Sequence, residues 1–130
     1  MNTSKTTIHL KVGAIICAAY VALGAFGAHG LKPILTEGQM GTYETGLRYM
    51  IIHGMGLLLI NSIYILWQKY NKWPSLLFYF GLLFFSVSLI IHALRDLIGI
   101  EIDVFAMFAP LGGLCFIAGW LVFAFSIKKS

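Results

Sequence analysis

Four long runs of apolar residues dominate this sequence and restrict what it can fold into. They cover residues 12–28, 49–66, 74–94 and 104–127. Each run is long enough to cross roughly 30 Å of hydrocarbon as an α-helix rising about 1.5 Å per residue. A soluble bundle needs a polar stripe on every helix, whereas the faces opposite the small residues here carry Leu, Ile, Phe and Val. The sequence therefore predicts an all-α integral membrane protein, folded as an antiparallel bundle of four transmembrane helices.

The composition supports this fold class. The chain is 59% hydrophobic and only 11% charged, far from the usual balance of a soluble domain. Its 130 residues allow a single domain, residues 1–130. We expect the spans at about residues 8–29, 46–68, 74–95 and 104–127.

The distribution of charge predicts the orientation of the spans. With four spans, both termini and the middle connection share one side, and that side holds lysines without acids: Lys5, Lys11, Lys69, Lys72, Lys128 and Lys129. The other side has more acids than cations: Lys32, Arg48, Arg95, Glu37, Glu44, Asp96, Glu101 and Asp103. The positive-inside rule then places both termini in the cytoplasm, with the protein in a bacterial inner or plasma membrane. The lysines are scattered beside membrane ends, so we expect contact with the lipid bilayer and no binding of nucleic acid.

The start of the chain has an alternative interpretation. Two lysines, an apolar run and the small residues near Ala28 also fit a secretory signal peptide with its cleavage site. Removal of that segment would leave three spans and place the two chain ends on opposite sides. A face of alanine four turns long is not expected in a signal peptide, so we favour a transmembrane helix.

The first span carries a face of small residues that ends in a histidine. Steps of four and three residues connect Ala14, Ala18, Ala22, Ala25 and His29, which therefore share one helix face. In lipid, small residues let helix backbones approach closely. We therefore predict that the first helix lies at the centre of the bundle. The residues expected to pack helices together are Ala14, Ala18, Ala22, Gly24, Ala25, Gly27, Ala28, Gly112, Gly113 and Gly119.

Short motifs predict several helix ends. Thr36 followed by Gln39 has the spacing of a capping box, so the second helix should begin near residue 37. Pro74 suits the first turn of the third helix. Gly99 should end that helix, and Asp103 should cap the fourth.

Four segments resemble a known family. They are residues 24–31 (GAFGAHGL), 49–53, 85–89 (FSxSL) and 110–120 (PLGGLxFIxGW). The chain from about residue 12 to residue 123 is similar to the bacterial domain-of-unknown-function family 423, whose relatives include the eukaryotic transmembrane-256 proteins. The resemblance implies a small integral membrane protein with four spans and uncharacterised activity.

Polar residues at one level of the bundle form the candidate functional cluster. It comprises His29, Arg48, Tyr49, His53, His92 and Arg95, all in the outer half of the predicted bundle. Ionisable groups at membrane depth normally face the interior and need partners. We expect His29 and His53 to point inward, and at least one of them to form a hydrogen bond across helices.

Several functions remain open for these residues. The histidines could simply join helices by hydrogen bonds, or bind a metal ion or haem, although the paired spacing and the carboxylate or Cys ligands of such sites are missing. A proton or solute pathway along His53 and Asn61 would require an oligomer, because a lone bundle fills its own centre. Hydrolysis by Ser86 or Ser88 with His92 is disfavoured, since such hydroxyls usually satisfy local carbonyls.

We interpret the chain as a non-enzymatic interaction or accessory protein. It has much close-packing surface and little reactive chemistry, so we assign no catalytic residue, metal or cofactor. Its expected partners are lipid and either a larger membrane complex or further copies of itself.

Overall fold

Four long helices make up the computed structural model, which describes residues 3–100 and 104–127. Helix α1 is Thr3–Leu31, α2 is Glu37–Leu66 and α3 is Trp73–Ile98. Helix α4 is Val104–Ser126. All four are long and apolar enough to cross a membrane, and the described residues contain no strand. The predicted fold class, an all-α membrane bundle with four transmembrane helices, is therefore confirmed.

Helices α2 and α3, and not α1, form the middle of the bundle. Helix α1 packs along α2, α2 also packs against α3, and α3 packs against α4. On α1, Ala14, Ala18, Ala22 and Ala25 are exposed. The prediction of a central first helix is therefore wrong: its alanine face points away from the other helices of the chain.

Glycines on α2 let its neighbours pack closely against this helix. A Cβ atom placed on Gly54 would lie 2.7 Å from a methyl group of Ile16 on α1. One placed on Gly46 would lie 3.0 Å from the backbone oxygen of Ser86 on α3. At Gly56 it would lie 3.2 Å from the ring of Trp120 on α4. Helices α1 and α3 and the ring of Trp120 thus approach α2 at positions where no side chain stands in the way.

Glycines also hold α3 and α4 together. A Cβ atom on Gly112 would lie 2.4 Å from the backbone nitrogen of Phe85, and one on Gly119 would lie 2.7 Å from the ring of Phe78. On α1, Gly27 is pressed against the ring of Tyr43, whereas a Cβ atom on Gly24 would meet nothing within 4 Å. The small residues singled out in the sequence therefore divide into helix contacts and exposed positions.

The predicted signals for helix ends are confirmed where the structure describes them. Thr36 caps α2 through a complete capping box with Gln39. Pro74 lies in the first turn of α3, and Gly99 ends that helix with a left-handed φ of 76°. Asp103, the expected cap of α4, lies outside the described residues.

Two wide helical turns were not expected from the sequence. Residues Gly27–Leu31 at the end of α1 and Leu82–Val87 in the middle of α3 form π-helix. The second of these segments carries the backbone of Phe85 that meets Gly112. A π-helical turn inserts extra backbone into a helix and turns the following side chains to new directions.

Candidate functional site

His53 lies inside a cage of aromatic rings where α2, α3 and α4 meet. Its side chain is only 3% exposed. Its imidazole stacks on Phe116 with 3.5 Å between ring centroids and 9° between planes. The edge of Phe78 approaches from α3 at 4.8 Å, and the indole of Trp120 lies at 5.9 Å. The polar ring is therefore enclosed by three large apolar groups.

Both nitrogens of His53 are engaged in hydrogen bonds. Nδ1 is 2.7 Å from the backbone oxygen of Tyr49, which can only accept, so Nδ1 carries the proton and donates. Nε1 of Trp120 can only donate, and it donates to Nε2 of His53 at 3.0 Å. These partners hold His53 as the neutral tautomer protonated on Nδ1. The prediction that His53 points inward and forms a hydrogen bond across helices is confirmed.

This arrangement leaves His53 without a lone pair for a metal ion. Coordination through Nε2 would require the indole of Trp120 to move away and lose its acceptor. Across residues 3–100 and 104–127, no group of three or more His, Cys, Asp or Glu side chains is placed to hold a metal ion. In this geometry His53 stabilises helix packing, and ligation of a metal or haem is disfavoured.

The other members of the predicted cluster lie in separate places. Tyr49 stays beside His53 and packs against Phe85 at 4.5 Å between ring centroids. Arg48 is exposed, and His29 is exposed as well, so the prediction that His29 points inward is wrong. A second group lies near the end of α3, where Nη1 of Arg95 donates to Nε2 of His92 at 2.9 Å.

A continuous pathway along His53 and Asn61 is blocked within one chain. Leu57 and Ile60 lie between these residues on α2, and both have no exposed surface. Nδ2 of Asn61 donates to the backbone oxygen of Leu57 at 2.8 Å and to Oγ of Ser75 at 3.0 Å. The polar groups are therefore tied to local partners, with packed apolar side chains between them.

The serines near His92 show no catalytic arrangement. Oγ of Ser88 donates to the backbone oxygen of Leu83 on its own helix, at 3.5 Å. Oγ of Ser86 is buried and has no hydrogen-bond partner among the described residues. Neither hydroxyl is paired with a histidine that could act as a base, since Nε2 of His92 accepts from Arg95.

A second polar cluster, at the opposite end of the bundle, was missed by the sequence analysis. His9 on α1 is 8% exposed. Its Nδ1 lies 2.5 Å from the hydroxyl of Tyr79 on α3, and its Nε2 lies 2.8 Å from the hydroxyl of Tyr70 in the 67–72 connection. Since a neutral imidazole has one donor and one acceptor nitrogen, one tyrosine donates to it and the other accepts. Burial also raises the pKa of Tyr70, which keeps that phenol protonated.

A signal for His9 was present in the sequence. Thr6, His9 and Gly13 follow at steps of three and four residues, and all three are buried on α1. The helical period of buried positions thus begins before the apolar run at residue 12. Histidine and threonine are not apolar residues. A prediction based on hydropathy therefore begins the packed face at residue 12 and leaves out its first positions.

Polar contacts also fix the end of α4 near this second cluster. Nζ of Lys69 donates to the backbone oxygen of Ser126. Oγ of Ser126 donates to the backbone oxygen of Phe123 at 2.6 Å, so at 3.3 Å the hydroxyl of Tyr64 is the donor to Ser126. One contact therefore holds α4 to α2, and a second holds it to the connection that follows α2.

Comparison with known sequences gives one family and close relatives. The family described as protein of unknown function (DUF423) matches residues 23–113. A UPF0382 membrane protein of Staphylococcus haemolyticus is 38% identical over 122 residues, which cover 94% of this chain and 96% of that protein. The UPF0382 inner membrane protein YgdD of Escherichia coli K12 is 35% identical, over 92% of this chain and 91% of that protein. No solved structure matches significantly.

Proposed function

Because the chain belongs to the DUF423 family of membrane proteins, we propose that it is a non-enzymatic accessory protein that binds a transmembrane helix of a larger membrane complex. The binding surface is the alanine face of α1, formed by Ala14, Ala18, Ala22 and Ala25. We further propose that both termini lie in the cytoplasm of a bacterium, as the lysine distribution favours.

The observation that carries this proposal is the exposure of the alanine face. Its four alanines are exposed along α1, on a helix at the edge of the bundle. Many exposed positions on the other helices carry large side chains instead, such as Leu59, Leu83 and Leu114. Large side chains suit contact with lipid, whereas a row of alanines lets another backbone come close and gain dispersion contacts.

His29 gives a second reason to expect a partner beside α1. It is exposed at the end of α1, and its imidazole has no partner among the described residues. Ionisable groups within membrane spans are costly unless they are paired. A neighbouring helix with a polar group at the same level would supply that pair.

Photo-crosslinking in native membranes tests this function. A photoreactive amino acid at Ala18 should give a stoichiometric adduct with one other protein, identified by mass spectrometry. The matched control is the same amino acid at Leu114, which is 63% exposed on α4 and should react with lipid alone. Adducts from Ala18 with lipid alone would contradict the proposal. A ladder of adducts between copies of the chain would also contradict it and favour self-assembly.

A disrupting substitution gives an independent readout. Ala18→Trp places a large side chain on the exposed face. The protein should fold as before, but a photoreactive amino acid at position 22 should no longer form the adduct with the partner protein. Leu114→Trp is the control and should leave that adduct unchanged. An adduct that survives Ala18→Trp would show that the face is not the binding surface.

A further inference from the structure

A groove separates α1 from α3 near the middle of the bundle, and α2 forms its floor. Its volume is about 310 Å³. The residues that line it include Ile16 and Leu23 of α1, Met50 of α2, and Leu82, Ser86 and Ile90 of α3. Every lining side chain except that of Ser86 is apolar. The rings around His53 do not line this groove, and the comparisons with known proteins assign nothing to it.

The hydroxyl of Ser86 is the polar group of this groove. The side chain is 1% exposed, and its Oγ forms no hydrogen bond with any residue that the structure describes. Ser88 on the same helix differs, because its Oγ donates to the backbone oxygen of Leu83. A buried hydroxyl without a partner is unfavourable in hydrocarbon, where no water replaces the missing bond. An acceptor supplied from the groove would satisfy Ser86.

The floor of the groove can adapt to a ligand. Met50 lines the groove and is partly buried. Its unbranched thioether chain changes shape at little cost. Rotation of Ser86 about χ1 likewise moves Oγ between staggered positions. A ligand that shifts Met50, or that meets a rotated Ser86, can therefore accept a hydrogen bond from Oγ.

The groove is closed at both ends along the helix axes. Towards the 67–72 connection, His9 of α1 contacts the hydroxyl of Tyr79 on α3. Towards the opposite end, Leu31 of α1 and Ala93 of α3 belong to one cluster of buried side chains. An occupant must therefore enter from the side, out of the surrounding hydrocarbon, and neither end has room for a charged headgroup.

The depth of Ser86 excludes a phospholipid as its hydrogen-bond partner. Along α3, Ser86 lies about 20 Å from Trp73 and about 15 Å from Asp96. It is therefore near the middle of a hydrocarbon layer roughly 30 Å thick. The ester carbonyls of phospholipids lie at the edge of this layer, and their acyl chains contain no acceptor. The acceptor must belong to a molecule that is dissolved in the hydrocarbon itself.

We propose that this groove binds the ring of an isoprenoid naphthoquinone, and that a carbonyl oxygen of the ring accepts a hydrogen bond from Ser86. An apolar cavity of about 150 Å³ holds one benzene ring, so a groove of about 310 Å³ has room for two fused rings. Quinone oxygens accept hydrogen bonds and donate none, which suits a site with a single donor. The isoprenoid chain is pure hydrocarbon and leaves through the open side of the groove into the lipid. This site does not depend on the partner proposed for α1.

Native mass spectrometry of the full chain in detergent tests this proposal with menaquinone-4 as the probe. One molecule should be retained per chain. An analogue with naphthalene in place of the quinone ring keeps the isoprenoid chain and has no acceptor. It should bind about three- to tenfold more weakly, which is the usual contribution of one hydrogen bond. An excess of phosphatidylglycerol should not displace the quinone.

Ser86→Ala tests the proposed hydrogen bond. Quinone binding should weaken about three- to tenfold, whereas binding of the naphthalene analogue should stay the same. Without ligand, the variant should melt no lower than the unmodified chain, because the hydroxyl that it loses has no partner. Ser88→Ala is the matched control and should leave quinone binding unchanged, since Ser88 donates to Leu83 and does not line the groove.

A second variant fills the groove and leaves Ser86 in place. Val87 lines the groove and is 41% exposed, so Val87→Trp should fold normally and occupy the space of the ring. Binding of the quinone and of its naphthalene analogue should both be lost. Leu83→Trp is the control, since Leu83 lies one turn earlier on α3, is 55% exposed and does not line the groove.

Three results would overturn the proposal. The first is equal binding of menaquinone-4 and its naphthalene analogue by the unmodified chain, which would show that no carbonyl meets Ser86. The second is unchanged quinone binding in Ser86→Ala or in Val87→Trp. The third is displacement of the quinone by phosphatidylglycerol, which would show that an acyl chain fills the groove.

Discussion

Trp120 on α4 donates its indole hydrogen to Nε2 of His53 on α2, and the donor and acceptor atoms are 3.0 Å apart. This bond crosses the interior of the bundle between two helices whose backbones scarcely touch. It also fixes the tautomer of His53, because the other ring nitrogen donates to the backbone oxygen of Tyr49. Trp120 thereby holds the buried imidazole of His53 in one neutral tautomer, and the ring serves to pack the helices together.

Trp120→Phe should destabilise the protein although it keeps an aromatic ring in place. The substitution leaves Nε2 of His53 buried without a donor, which costs about 1–3 kcal/mol. Thermal unfolding of the purified protein in detergent checks this. Trp67→Phe is the control, since Trp67 is 51% exposed and its loss should have little effect. Equal melting temperatures for the two variants would show that the bond contributes nothing to stability.

The glycines lead to a second prediction. Replacement by alanine should lower the stability of the protein at one position and raise it at another. Gly112→Ala should lower the free energy of unfolding by about 1–3 kcal/mol. The new methyl group would lie 2.4 Å from the backbone nitrogen of Phe85, and a backbone cannot easily move aside. Gly41→Ala meets nothing within 4 Å and should stabilise α2 by about 0.5–1 kcal/mol through helix propensity. Melting temperatures of both variants measure the difference. A tolerated Gly112→Ala would contradict the close contact between α3 and α4.

The sequence was sufficient to predict the membrane fold and several helix ends. Run length and hydropathy identify the spans, because hydrocarbon leaves few alternatives for a polar backbone. The capping box at Thr36 and the glycine stop at Gly99 are local signals, so they do not depend on distant residues. The inward position of His53 followed from the cost of a polar group at membrane depth.

The face on which each helix packs could not be predicted in the same way. Alanine on α1 and glycine on α2 both permit close contact, and the sequence does not state which small face meets a neighbour. The answer depends on large partners: Trp120 and Phe78 require the space that Gly56 leaves on α2. The aromatic cage around His53 likewise brings together residues from three helices that lie far apart in the sequence.

The contact of His9 with Tyr79 should contribute measurably to stability. His9→Phe and Tyr79→Phe each remove a hydrogen bond between α1 and α3. In a double-mutant cycle we expect a coupling energy of about 1 kcal/mol. Melting curves of the single and double variants supply the four values. Tyr49→Phe is the control for loss of a hydroxyl, because that hydroxyl forms no hydrogen bond among the described residues. Additive effects of the two substitutions would show that the contact is absent in the folded protein.

The proposed orientation can be tested with single cysteines and a maleimide that cannot cross membranes. Cys17 and Cys115 are replaced by alanine first, and one cysteine is then introduced at Ile34 or at Ile127. Both positions are well exposed, at 60% and 48%, but they lie at opposite ends of the bundle. Because the lysines gather at the end that contains Ile127, intact cells should be labelled at position 34 and not at position 127. Permeabilised cells, in which both cysteines should react, provide the control for accessibility. Labelling of position 127 alone in intact cells would reverse the proposed topology.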